Sequence, residues 1–396
     1  MRKIIFNKLF GEEKTMKKKS LFGLAASAML LLAACGGGGG NSAGNASGDA
    51  DTAKFGLVTI LSGNAAAYGT SIKEGAELAV EEINQKGDGQ VELIVEDDKG
   101  DKNETINAVN KLIHSDNVLA IEGPTLSGQM FAAGPIGQEA GVTMLGTSTT
   151  AEGITDIGDY IFRNSIPEST AVAEAVRQSH DELGYKTAAV LYSQNNDMMV
   201  SVNNTLQDTF NEVGVEVVTT ETFADGDTDF SAQLTNIKAK NPDVIAVASL
   251  YQEGALIVKK AREMGLNQPI VGSNGFNSPE FIEQAGAAAD GSIVGTPWFP
   301  DRDSDKVRDF NANYEAKYGK KPDQFAAQSY DAIYLLYQAW LDSGKTQDRA
   351  AFRDALANID TIEGVTGDFK FTEKGDPEMA VQVLKIEDGQ FTELSE

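Results

Sequence analysis

The chain has 396 residues, more than one hydrophobic core usually serves, so two lobes are the default expectation. Its 41% hydrophobic and 8% aromatic content is that of a globular protein, which excludes a disordered chain and an integral membrane protein. The net charge of −26 argues against nucleic acid and anionic lipid surfaces as partners, and one cysteine with two histidines argues against a structural disulfide, zinc or iron. No cofactor and no metal is expected.

Residues Met16 to Cys35 have the layout of an export signal: Lys17, Lys18 and Lys19, an apolar run from Leu21 to Leu32, then small residues. The run is too short to span a bilayer, which takes about 20 apolar residues. Leu32-Ala33-Ala34-Cys35 resembles the bacterial lipobox, which implies cleavage before Cys35 and a lipid on its sulfur. Met1 to Thr15 then read as an upstream extension. Removing residues 1–34 takes away 7 of 33 basic and 2 of 59 acidic residues, leaving a body of −31. Residues 35–53, opening Gly36-Gly-Gly-Gly-Gly40, have nothing to pack and read as a tether; roughly 18 flexible residues span about 23 Å.

From Lys54 the pattern alternates. Phe55 to Ile60, Val91 to Val95, Val118 to Ile121 and Val142 to Leu145 read as strands, with helices over Gly75 to Ile83, Asn103 to Ile113 and Gln129 to Ala140. Repeated βαβ units make a parallel sheet with helices on both faces. Two turns, Gly123-Pro-Thr-Leu-Ser-Gly128 and Gly146-Thr-Ser-Thr-Thr150, follow strand ends, where such sheets bind ligands. Small residues, hydroxyls and the N–H groups of the next helix suit a carboxylate there.

A second series follows Arg163-Asn-Ser-Ile-Pro167. Helices are expected over Thr170 to Leu183, Val200 to Val213, Phe230 to Lys240 and Gly254 to Met264, and strands over Thr187 to Tyr192, Val215 to Thr220, Val244 to Ser249 and Pro269 to Val271. The remainder has helices at Asp305 to Tyr318, Ala326 to Leu341 and Asp348 to Leu356, with strands near Asp368 to Phe371 and Val381 to Ile386. That is too little sheet for a third domain. These elements are therefore shared between two doubly wound α/β lobes joined by a multi-strand hinge: 54–166 with 296–376, and 167–295 with 377–396.

Lys54-Phe-Gly-Leu-Val-Thr-Ile-Leu-Ser-Gly63, Tyr68-Gly69, Gly75-Ala76, Ala79-Val80, Ile83-Asn84, Glu96-Asp97-Asp98, the two turns and Val271-Gly-Ser-Asn-Gly275 together resemble the substrate-binding proteins of branched-chain amino-acid ABC transporters. The resemblance covers about residues 54 to 396. It implies the type I periplasmic-binding fold, three crossings near Pro167, Thr296 and Pro377, and a ligand α-carboxylate held by Ser127 and, in the second turn, by Ser148 and Thr150, with Thr149 beside them in the ligand site. Tyr68 aligns with an aromatic that flanks the ligand. Tyr251 follows a strand end, and Trp298 with Phe299 follows the second crossing, so each could face the cleft.

Two positions depart from the family pattern. Asn274 stands where a carboxylate usually meets the ligand's ammonium, so another carboxylate takes over, with Glu253, Asp197 and Glu122 as candidates, or the ligand has no ammonium. Met198-Met199 replaces Tyr-Gly and could line an apolar pocket or a core.

The resemblance implies a monomeric body, lipid-anchored on the extracytoplasmic face of the membrane, that captures a small ligand and delivers it to ABC permease subunits. A branched-chain or other apolar amino acid is the expected ligand; a different small carboxylate or amide, or a sensor role at a membrane receptor, is the alternative. No enzyme is expected: there is no Gly-x-Ser-x-Gly elbow, no phosphate loop, and no histidine beside a serine or cysteine.

Overall fold

The computed structural model describes residues 51–394 except Asn64 and Gly87, with the side chain of Lys86 also excluded. The export signal, Cys35 and the glycine tether lie outside the described residues.

The first sheet has five parallel strands, β1 (Thr52–Thr59), β2 (Gln90–Asp97), β3 (Ala120–Glu122), β4 (Thr143–Gly146) and β5 (Ile161–Arg163), in the order β2-β1-β3-β4-β5. Connecting them are α1 (Ala66–Lys86), α2 (Lys102–His114) and α3 (Ser127–Ala140). Asp101 starts α2 because its carboxylate accepts from the N–H groups of Asn103 and Glu104. The helix α1 begins nine residues before the apolar stripe at Gly75, since Ala65, Tyr68 and Ile72 also bury against the first core.

The chain leaves this sheet after Arg163 and enters α4 (Glu168–Leu183). The second sheet follows: β6 (Thr187–Ser193), α5 (Asp197–Glu212), β7 (Glu216–Phe223), α6 (Ser231–Lys240), β8 (Val244–Ala248), α7 (Tyr251–Glu263), β9 (Ile270–Gly272), α8 (Pro279–Ala285) and β10 (Ser292–Thr296). Every residue of β8 is buried, as a central parallel strand covered on both faces requires. After β10 the chain returns to the first lobe for α9 (Asp305–Tyr318), α10 (Gln324–Asp342) and α11 (Arg349–Ala357). A small antiparallel sheet, β11 (Ile362–Gly364), β12 (Gly367–Phe371) and β13 (Pro377–Glu378), precedes β14 (Gln382–Glu387) and β15 (Gln390–Glu393). The last two strands rejoin the second sheet, whose order is β15-β14-β10-β9-β8-β6-β7.

The alternation read from the sequence is present, with differences; α8, β11, β13 and β15 were not read from the sequence. The sequence pattern signalled neither β5 nor β10, each short and buried and lying where the chain changes sheets. The pairing of β14 with β10 is antiparallel, so the second sheet is mixed. The helix α5 begins at Asp197 because the Asn196 side chain accepts from the N–H groups of Met198 and Met199, which makes Met198 helical. Likewise α7 begins at Tyr251, three residues before the expected glycine.

Candidate functional site

The two glycine turns of the first lobe lie side by side at the C-terminal ends of β3 and β4. Gly123 opens the first turn with φ +98°, and a Cβ there would lie 2.2 Å from the Val58 carbonyl oxygen, so only glycine lets the chain leave β3 this close to β1. Ser127 is the first residue of α3, and its Oγ accepts from the Ala151 N–H at 3.1 Å, tying the first turn to the end of the second.

The second turn is held from behind by Arg163. This guanidinium is 2% exposed; it donates to the carbonyls of Thr149 (2.9 Å) and Ala151 (2.6 Å), and its Nε meets Asp376 at 2.6 Å. The sequence pattern marks Arg163 only as the start of the second series. Within the turn the Thr149 hydroxyl folds back over Gly146, whereas Thr150 Oγ1 reaches Met198 of the other lobe at 2.7 Å. Ser148 is buried in the same turn.

Across the cleft, Tyr251 presents the first N–H of α7. That donor has no partner within its own helix, and the Tyr68 hydroxyl of the first lobe accepts it at 2.9 Å. The two rings meet edge to face with centroids 5.1 Å apart, and the Phe325 ring also packs on Tyr68, with centroids 4.3 Å apart. Burial pushes the Tyr68 phenol well above its usual range, so it stays neutral. At the rim, Lys102 of α2 donates to Asp197 of α5 at 2.8 Å, a half-exposed ion pair.

The 271–275 turn is brought to the same place. A Cβ on Gly275 would lie 2.3 Å from the Ser249 carbonyl oxygen, so this glycine lets the turn pack directly on the end of β8. Asn274 donates its N–H to Glu168 Oε1 at 2.8 Å, and its side-chain oxygen accepts from Gln324. Gln324 in turn accepts from Asn277 (2.8 Å) and Thr296 (3.0 Å), and Thr296 Oγ1 accepts the N–H of Trp298 (3.0 Å). Trp298 itself stands apart from the two turns, edge to face on Phe310 in a cluster with Leu78 and Val307.

The three carboxylates named as substitutes for residue 274 have partners of their own. Asp197 is in the rim ion pair. Glu253 accepts from the Gly226 N–H at 2.8 Å, within the second lobe. Glu122 is buried behind the second turn, accepting from Thr147 at 2.9 Å, and burial pushes its carboxyl up to about 8. Glu168 carries no signal in the sequence. It is 1% exposed, it touches the 271–275 turn, and burial pushes it up to about 7.

Residues 52–390 match the family model described as periplasmic binding protein. The chain belongs to this family. Among solved structures similar to this periplasmic binding protein is the branched-chain amino acid transporter substrate-binding protein LivJ of Streptococcus pneumoniae in complex with isoleucine. It is 32% identical with a TM-score of 0.81, over 86% of this chain and 97% of that one. The leucine-binding protein LivK of Thermotoga maritima is 30% identical with a TM-score of 0.82, over 87% and 98%. A similar curated relative is the Leu/Ile/Val-binding protein BraC3 of Rhizobium johnstonii, 28% identical over 81% of this chain and 88% of that one. A solute-binding protein of R. palustris in complex with benzoate, 24% identical with a TM-score of 0.79, shares the fold.

Proposed function

We propose that this protein captures a branched-chain or other apolar amino acid between its lobes and presents it to the permease of an ABC transporter. The reading is supported by two buried contacts made between the lobes: the Thr150 hydroxyl of the second turn on Met198, and the Tyr68 hydroxyl on the Tyr251 N–H with their rings edge to face, while Ser127 ties the first turn to the end of the second. Hydroxyls and the N-terminus of α3 suit the ligand's carboxylate; ring faces and methionine suit an aliphatic side chain. Both lobes contribute contacts only when they meet, so ligand binding favours the closed state. The likeness to LivJ and LivK supports the same ligand class.

On this reading the body works at the extracytoplasmic face of the membrane, held by a lipid on Cys35, which lies outside the described residues. Asn274 favours one alternative, a small carboxylate or amide without an ammonium. A thermal-shift screen over apolar amino acids, their keto acids and their amides separates the two, because a ligand that binds only the folded state raises its melting temperature. A rise with leucine, isoleucine or valine supports the proposal; a rise confined to acids without an ammonium contradicts it. Substituting Cys35→Ser should release the protein to the medium, and its retention at the membrane would count against the anchor.

A further inference from the structure

The candidate site contains a carboxylate whose surroundings are incomplete. Glu168 is the first residue of α4, directly after the chain leaves the first lobe. Two hydrogen bonds fix its position between the cleft's two sides. Its backbone N–H donates to the Thr150 carbonyl (2.8 Å), and its Oε1 accepts the backbone N–H of Asn274 (2.8 Å). The Thr150 hydroxyl faces the same carboxyl group. The second oxygen, Oε2, is buried without a hydrogen-bond partner. Among the described residues no lysine or arginine forms an ion pair with Glu168.

A buried carboxylate with an orphaned oxygen is costly, and a cation with N–H donors removes that cost. The neighbouring groups define where such a cation would come from. Thr150 belongs to the turn whose hydroxyls and helix N-terminus suit a carboxylate, and in an α-amino acid the carboxylate and the ammonium share one carbon. A ligand held by its acid end at Ser127 and Thr150 thus brings its ammonium beside residues that contact Thr150. Glu168 does so through both backbone and side chain; Glu122 and Glu253 also have a buried oxygen without a partner, but Glu122 is held by Thr147, Glu253 by the Gly226 N–H and Asp197 by Lys102, and none of the three is hydrogen-bonded to Thr150.

We infer that Glu168 is the counter-ion of the ligand's α-ammonium, and that it replaces the carboxylate absent at Asn274. This rests on the amino-acid reading given above. Burial holds the ligand-free carboxyl up to about 7, and an arriving ammonium restores its charge. Asn274 then serves a different purpose, since its backbone N–H and its Gln324-bound amide hold Glu168 and the turn in place.

The test is calorimetric titration of the full chain with L-leucine and with 4-methylpentanoate, its deaminated counterpart. The wild-type protein should prefer leucine. Glu168→Gln, which keeps shape and removes charge, should lose at least about 30-fold in leucine affinity while 4-methylpentanoate binds as before or better. Equal loss of both ligands would mean a merely structural role, and retained leucine preference would mean that another group pairs the ammonium; either overturns the inference alone. If the wild-type protein binds 4-methylpentanoate and no apolar amino acid, the amino-acid reading fails first and Glu168 has no ammonium to meet. Glu168→Asp keeps the charge and serves independently of how Glu168→Gln folds: it should retain a preference for leucine over 4-methylpentanoate, and loss of that preference in Glu168→Asp would contradict the assignment.

Discussion

The two sides of the cleft are built on different principles. On the first-lobe side, each turn is fixed by its own lobe: Gly123 permits the first, Ser127 is locked to Ala151, and Arg163 holds the Thr149 and Ala151 carbonyls. On the other side the groups are fixed by partners from elsewhere in the chain. Tyr251 is capped by Tyr68 of the first lobe, Met198 is met by Thr150, and Asn274 is tied to Glu168 and Gln324. On the proposed reading, the half fixed within the first lobe holds the ligand's carboxylate, and the half that draws partners from the other lobe sets selectivity.

That comparison can be broken first at Arg163. Arg163→Met leaves the Asp376 charge and two carbonyls without their donor, so unfolding should become easier by about 3–5 kcal/mol in denaturant titration. A loss under about 1 kcal/mol would show that the first-lobe turn does not depend on it. Next in size is the pair Ser127→Ala with Thr150→Ala. It should abolish the rise in melting temperature caused by ligand while leaving the ligand-free melting temperature within a few degrees; unchanged affinity would remove the hydroxyls from the site.

Tyr68→Phe removes one cross-lobe hydrogen bond and keeps the ring contacts. Ligand affinity should fall about five- to tenfold through faster release, with little change in unliganded stability. An unchanged dissociation rate in stopped-flow measurements would mean that closure does not use this bond. The rim pair is the smallest: Lys102→Ala should cost under about 1 kcal/mol of binding energy, and less still at high salt.

A pH prediction separates the buried carboxylates from the rim. Glu122 has its folded value raised from 4.5 to about 8, so the folded protein keeps a proton that the unfolded chain gives up. The unfolded state therefore binds fewer protons between these values, and this group makes stability fall as pH rises from about 4.5 to about 8, with no further effect beyond either end. Glu122→Gln should flatten that part of the stability profile. An unaltered slope would place the effect on other groups.

Much of this was readable in the sequence because it follows from periodicity and turn chemistry. Apolar runs such as Val244 to Ala248 could only be buried strands, and Ser127 and Thr150 follow such runs in glycine turns at sheet ends. What was missed is of another kind. The strands β5 and β10 are short and owe their pairing to the crossing of the chain between sheets, which leaves no local period. Arg163 and Glu168 stand five residues apart at the first crossing, and nothing in their neighbours tells that one will be buried behind a turn and the other between two lobes. Their partners, Asp376 and Asn274, are more than a hundred residues away in sequence. Long-range pairing of this sort is set by tertiary packing, to which single-sequence patterns are blind.

The most direct test of capture between two lobes is a distance measured across the cleft. Spin labels or a fluorophore pair on Glu104→Cys of α2 and Asn204→Cys of α5, both exposed, in a Cys35→Ser background, report the separation of the lobes. Saturating leucine should shorten and narrow the distance distribution, and the Ser127→Ala, Thr150→Ala variant should not respond. A distribution that leucine leaves unchanged in the otherwise wild-type protein would contradict closure on this ligand.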